Sequence, residues 1–322
     1  MRFGLFLAVL AVAAGTLPYL VGNYAVSFTI QALIFAALAY SWNLIGGYAG
    51  YTHFGQVAFF GVGAYVGALL EGAGTPWPIA ALAAAGAAAA LAVVLGFSML
   101  RIRGPFFAIG MYGLARVGEA FALGFDGVTQ GGTGLYLQQV ALVPVLYTLA
   151  AIVIVLIGCT HLLDGSRIGL QLLAIREDEA AAEALGVRTT RLKVCAFVAS
   201  AVAPGAVGAI YATWLAFIDP ATAFAPMTEL TTIAMVLLGG MGTVLGPLVG
   251  TIILSVVNEL LWSSFPEIYL GLVGVVILVA VLFMPRGIIT TLARRAIPWL
   301  PLARSRLRRL ASTATPPVTP HG

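Results

Sequence analysis

Arg116 and Glu119 have the spacing that most directly suggests chemistry. Three apart in an apolar run, they share one face of a helix and can pair. An ionisable pair inside a membrane helix either lines a wet path as a polar strut or locks two helices together. A second set, Asn43, Thr52, His53 and Gln56, clusters at a glycine-rich stretch, where a polar solute would find hydrogen-bond partners. The alternative for these four is packed, internally satisfied side chains. Glu229 and Glu259 fall near the outer ends of their apolar runs, where solvated or paired acids are expected. Cys159 and Cys195 lie in apolar surroundings without metal-ligand spacing and read as packing residues. The sequence holds no G-x-x-x-x-G-K-[ST] phosphate loop, no His/Glu/Cys cluster with metal spacing and no G-x-S-x-G elbow. Catalytic, cofactor-binding and metal sites are therefore expected to be absent, and the chain reads as something other than an enzyme.

The elements that must position these residues follow from composition. Of 322 residues, 61% are hydrophobic and 9% charged, against about a quarter charged in a soluble domain. That balance excludes an ordinary soluble enzyme, a disordered regulator and a nucleic-acid binder. No Asp, Glu, Lys or Arg occurs between Arg2 and Glu71, room for about three helices of roughly 20 residues each. The fold class expected is an all-α, polytopic membrane bundle. Ten apolar segments lie near 3–22, 24–46, 54–71, 77–100, 105–124, 140–163, 194–218, 228–243, 244–263 and 268–285. Residues 1–290 then form the transmembrane domain, with a hydrophilic loop at 161–193. Residues 291–322 form a basic, then Pro-rich tail expected to be disordered. With ten spans, the loop bases between the segments and the bases at both chain ends fall on one side, so both termini are expected in the cytoplasm.

Two segments carry glycine breaks, Gly46-Gly47-Tyr48-Ala49-Gly50 and Gly239-Gly240-Met241-Gly242. Irregular backbone at membrane depth survives only where protein or a wet cavity satisfies it, so paired breaks point to a transport path. Close helix approach through Gly is the competing explanation. The short stretch from Glu229 to Trp262 leaves open whether the eighth segment crosses fully or re-enters.

The loop from His161 to Lys193 carries five acids and five bases. Its run Gly169 to Leu185 has helix-forming composition, and Gly186 stands where a helix would stop. The spacing predicts one short amphipathic helix, exposed and ending at Gly186. Such a module suits a protein that takes force from a soluble motor.

At this loop the sequence resembles a known family. Ala174-Ile175-Arg176-Glu177-Asp178-Glu179-Ala180-Ala181-Ala182-Glu183-Ala184-Leu185-Gly186-Val187 is similar to the Glu-Ala-Ala loop of ABC importer permeases, closest to the branched-chain amino-acid class. Further similarity lies in Ser41-Trp42-Asn43-Leu44, Phe59 to Tyr65, Arg101-Ile102-Arg103-Gly104 with Phe106 to Ile109, Gly131 to Leu135, Leu238 to Gly242, and Phe283-Met284-Pro285-Arg286-Gly287. Together these resemble the larger, LivM-type permease of that family over roughly residues 30 to 290. Two positions depart from the family pattern: His53 followed by Gly55-Gln56, and Arg116 preceding Glu119.

The resemblance implies a permease subunit of an ATP-driven importer for branched-chain or related hydrophobic amino acids, in the bacterial inner membrane. It implies a second homologous permease, two cytoplasmic ATP-binding subunits and a periplasmic substrate-binding protein as partners. ATP and Mg would sit on the partner ATPases and no cofactor on this chain. Arg176, Glu179, Ala180, Ala181, Glu183 and Gly186 would form the ATPase-coupling loop. Importers of urea, short amides or other amino acids share this pattern. An ion-gradient-driven secondary transporter or a channel is the reading from another class.

Overall fold

The computed structural model describes residues 2–102, 104–264, 267–268, 271–275, 278 and 287–289. Within them the chain is an all-α bundle: α1 (Arg2–Leu20), α2 (Asn23–Trp42), α3 (Gln56–Gly72), α4 (Trp77–Met99), α5 (Pro105–Gly124), α6 (Asp126–Thr129), α7 (Leu142–Asp164), α8 (Arg167–Glu177), α9 (Glu179–Ala184), α10 (Thr189–Leu215), α11 (Pro220–Ala223), α12 (Pro226–Gly239) and α13 (Gly246–Ser264). A π-helical turn, Asn43–Tyr48, continues α2. Among the described residues eight helical segments are long and apolar enough to cross a membrane, and α3 is a shorter apolar helix. A two-stranded ribbon, β1 (Leu135–Tyr136) against β2 (Phe217–Ile218), closes the end of the bundle opposite α8 and α9.

Small residues set the centre. Lipid gives helices no hydrophobic reason to associate, so close backbone packing must hold them. Along α4, Ala80, Ala84, Ala88 and Ala92 form a buried stripe. Gly205 of α10 sits against Ala84, Ala85 and Ala88, and Gly63 of α3 sits against Gly205. The packed trio α3, α4 and α10 carries the other helices around it. Pro204 inside α10 cannot donate to the Ser200 carbonyl, and the Ser41 hydroxyl of α2 donates to that carbonyl instead. A proline defect in one helix thereby becomes a tie to another.

The structure revises several expectations. The single helix expected from Gly169 to Leu185 is two, α8 and α9, parted at Asp178, whose backbone is extended (φ −159°). The segment read as 228–243 is helical only over Pro226–Gly239. At 1.5 Å per residue α12 alone spans roughly 21 Å, and it reaches the roughly 30 Å hydrocarbon core only together with α11, over Pro220–Gly239. A bend joins it to α11 on one side, and irregular chain over 240–245 turns it into α13 on the other. Cys159 and Cys195 are both exposed on the helix surfaces, so neither is a core packing residue. The tenth segment (268–285) lies mostly outside the described residues. So do Arg103, Phe283 to Arg286 and the tail 291–322.

Candidate functional site

The loop between α7 and α10 is built from local caps. The Ser166 hydroxyl accepts from Gly169 N (3.0 Å) and starts α8. Asp178 Oδ1 accepts from Ala180 N (2.9 Å) and Ala181 N (3.0 Å) and starts α9. A free Asp carboxylate satisfies the orphan donors of a first turn and favours its positive end. At the far end Gly186, φ +85°, donates to the Glu183 carbonyl (2.9 Å), and Val187 donates to Ala182 (3.1 Å). This is the paired C-terminal lock that requires a left-handed residue. Asp178→Ala is expected to cost about 1 kcal/mol and to speed amide exchange in α9, with Asp178→Asn close to wild type. Hydrogen-exchange mass spectrometry on the intact chain reads both.

One acid of α9 turns inward. Glu179 pairs with Lys193 of α10 (2.5 Å) and accepts from the Tyr51 hydroxyl (2.6 Å). Lys193 Nζ also donates to that hydroxyl (2.9 Å) and lies 4.9 Å from the Tyr51 ring centroid. The Lys193 side chain is 4% exposed and that of Glu179 14%. Burial, then the Glu179 hydrogen bond, pushes the Tyr51 phenol above its usual value, with Lys193 pulling the other way. Tyr51 therefore stays protonated at neutral pH and donates. The three side chains clamp α9, the start of α10 and the loop before α3. What α9 leaves outward is Ala180, Ala181, Glu183 and Ala184, with Leu185 84% exposed.

The end of α8 reaches the two glycine breaks. Arg176 Nη1 donates to the Gly47 carbonyl (2.5 Å), its aliphatic stem packs on Gly50, and its guanidinium lies beside Gly242. Asn43 joins the same breaks side to side: Oδ1 accepts from Gly242 N (2.8 Å) and Nδ2 donates to the Thr243 carbonyl (3.2 Å). Gly46 and Gly47 lie within the π turn, and Gly50, Gly240 and Gly242 have positive φ. Gly239 packs backbone to backbone against Gly246 of α13. Two stretches about 200 residues apart in sequence thus form one fastened unit, beside α8.

From that unit the chain runs back into the bundle before α3 begins. Gln56, the first residue of α3, donates from Nε2 to the Leu38 carbonyl (2.8 Å), well up α2 from the break. The N-terminus of α3 therefore opens inside the bundle, and Glu229 of α12 meets it, its Oε2 accepting from Val57 N (2.8 Å). A buried carboxyl group on a helix N-terminus answers its orphan donors. Glu229 is 4% exposed, so of a solvated or a paired acid the solvated one fails, and its partner is the Val57 N–H. His53 is 1% exposed, ringed by Trp42, Phe107 and Phe197, and its carbonyl accepts from Trp42 Nε1 (3.0 Å).

Arg116 and Glu119 bond to each other on α5, and Arg116 also donates to the Phe224 carbonyl beyond α11. Their side chains are 30% and 23% exposed. Thr52 is exposed.

The candidate residues therefore separate into groups. Asn43, Arg176 and the glycines of both breaks come together. His53 and Gln56 sit deeper, with Glu229; Arg116 and Glu119 bind a different segment. Four clamp or capping residues were not among the sequence candidates: Tyr51, Ser166, Asp178 and Lys193. Lys193 did carry a signal, as the chain's only Lys at the start of an apolar span. Tyr51 carried none.

The family described as branched-chain amino acid transport system / permease component matches residues 24–282. The chain is 28% identical to the high-affinity branched-chain amino acid transport system permease protein LivM of Salmonella typhimurium, over 88% of this chain and 74% of the relative. It is 29% identical to LivM of Escherichia coli over the same shares. The permease protein LivH of Salmonella typhimurium is 29% identical over 42% of this chain and 43% of its own length. No solved structure matches.

Proposed function

This chain belongs to the branched-chain amino acid transport system / permease component family, and from that we propose that it is the LivM-type permease of an ATP-driven importer of branched-chain or related hydrophobic amino acids. It is a multi-pass inner-membrane protein and a transporter subunit rather than an enzyme. Its partners in this reading are a LivH-like second permease, two ATPases that hold ATP and Mg, and a periplasmic amino-acid-binding protein. The α8–α9 side, with both termini, faces the cytoplasm.

The observation that supports coupling is the way α8 and α9 are fastened. The outward face of α9 is small and apolar around Glu183, suited to a shallow cleft on a motor subunit. Its inward face is tied through Glu179 to Tyr51 and Lys193, and α8 is tied through Arg176 to both glycine breaks. When the ATPases close on ATP they push α9. The clamp moves the loop before α3, Arg176 moves the paired breaks, and access alternates between the two sides.

Gly186→Asp and Glu183→Lys test this reading. At Gly186 the obstacle is φ +85° and not space, since a Cβ would meet nothing within 4 Å. Labelled leucine uptake is expected to fall at least roughly tenfold in each, with unchanged insertion, and Gly186→Asn, tolerant of αL, to keep much of it. Normal uptake by both would remove the loop from coupling. Uptake that survives ATP depletion but collapses with the proton gradient would overturn the ATP-driven reading. Competition by valine, and not by urea, is expected.

A further inference from the structure

A cleft of about 510 Å³ opens between α2, α10, α12 and α13, in the half of the bundle away from α8 and α9. None of its lining residues belongs to the groups described above. On α13, Ser255, Asn258 and Glu259 face it, with Thr251 one turn before them on the same side. Polar side chains at such spacing in a membrane helix need partners. Yet among the described residues Ser255 Oγ and Asn258 Oδ1 have none, although Ser255 is 8% exposed. An unsatisfied buried hydroxyl or amide is costly to keep, which points to a ligand that supplies the missing bonds.

The charge of the cleft names the ligand class. Among the described residues that line it, Glu259, held by the Tyr24 hydroxyl, is the one carboxylate, and none is Arg, Lys or His. A lone carboxylate without a base selects a cation. The opposite wall offers neutral donors, Gln31, Thr228 and Thr231, and an apolar floor around Phe35 and Met227. That combination suits an ammonium, a carboxylate that needs no full countercharge, and an alkyl group. We propose that this cleft binds the amino-acid zwitterion, Glu259 and Asn258 Oδ1 accepting from the ammonium, the Ser255, Thr228 and Thr231 hydroxyls donating to the carboxylate, and Phe35 and Met227 packing on the side chain. The proposal rests on the importer reading and assigns its solute a place. Thr228 also borders the small space next to Gln56 and Glu229. A ligand here therefore leans on the first turn of α12, whose far end is fastened by Asn43 and Arg176.

An ammonium next to hydrogen-bond acceptors also describes the headgroup of phosphatidylethanolamine, so the test separates the two sources. The assembled transporter, with Cys159→Ser, Cys195→Ser and the reporter Ala32→Cys in the cleft wall, is reconstituted in phosphatidylcholine vesicles. Modification of the reporter by a water-soluble methanethiosulfonate is timed with L-leucine, leucinamide or 4-methylpentanoate present, and leucine uptake is measured in the same vesicles. Leucine should slow labelling, leucinamide should slow it less, and 4-methylpentanoate, which lacks the ammonium, should not. Glu259→Gln should raise the half-protective leucine concentration roughly tenfold or more, the loss of one charged hydrogen bond. Uptake without protection would overturn the cleft as the site while the importer reading stands. Protection without uptake would support the cleft and overturn the importer reading. Labelling slowed by added phosphatidylethanolamine and indifferent to leucine would make the occupant a lipid and overturn the proposal.

Discussion

Replacing Lys193 by Met is expected to lower leucine uptake by more than roughly tenfold and to cost about 3 kcal/mol of stability, the low end of what breaking a buried ion pair costs. The Lys193 ammonium is nearly sealed from solvent and holds Glu179 at 2.5 Å and the Tyr51 hydroxyl at 2.9 Å. Met keeps the length and the apolar stem but removes the ammonium that Glu179 meets at 2.5 Å. The low end applies because Glu179 remains 14% exposed and can regain some water. The double variant Glu179→Gln/Lys193→Met separates stability from coupling. With both charges gone no buried charge is stranded, so thermal stability in detergent should largely recover. Uptake should not, since the tie between α9 and the loop before α3 is still weakened. A double variant with normal transport would show that the clamp only holds the fold.

The second large effect is expected at Gly250. A Cβ there would fall far inside van der Waals contact with the Met235 carbonyl oxygen, and the obstacle is main chain that no rotamer change relieves. Gly239 meets the Gly246 carbonyl in the same way one turn along the hairpin. Gly250→Val should therefore exceed the roughly 1–3 kcal/mol of ordinary overpacking and abolish accumulation of folded protein. Gly250→Ala should give protein with a clearly lowered Tm. Gly158→Ala on α7, where a Cβ meets nothing within 4 Å, is the control and should leave Tm unchanged or slightly raised. Gly250→Val protein that accumulates with a wild-type Tm would refute the close contact of α12 with α13. The Pro226–Gly239 and Gly246–Ser264 limbs are what bring the second break to Asn43, so uptake should fall with the contact.

What could be read in advance divides along physical lines. The membrane class and most helix positions lay in the apolar runs, because bilayer thickness imposes a length that any span must meet. The glycine breaks and the Gly186 stop were legible because positive φ and close approach restrict residue type at a single position. The split of the loop helix at Asp178 was missed, although an Asp before Glu-Ala-Ala is a capping signal. Helix-forming composition on both sides outweighed it in the reading. The end of an apolar run suggests a solvated or paired acid at Glu229, with distance along the run standing for depth. That inference fails where a neighbouring helix starts inside the bundle, as α3 does at Gln56.

By itself the sequence determined that this chain spans a membrane as helices, where they break, and that a charged loop stands outside them. Those properties depend on hydropathy, backbone permissiveness and charge, each carried by a residue and its near neighbours. Only the tertiary structure decided that Asn43 and Gly242 share one junction, that Arg176 serves it, and that Glu179 faces Lys193 and Tyr51 while Leu185 faces out. Such pairings join positions separated by up to about 200 residues. They are set by which helix faces can pack without gaps, a property of the assembled bundle that no local window of sequence contains.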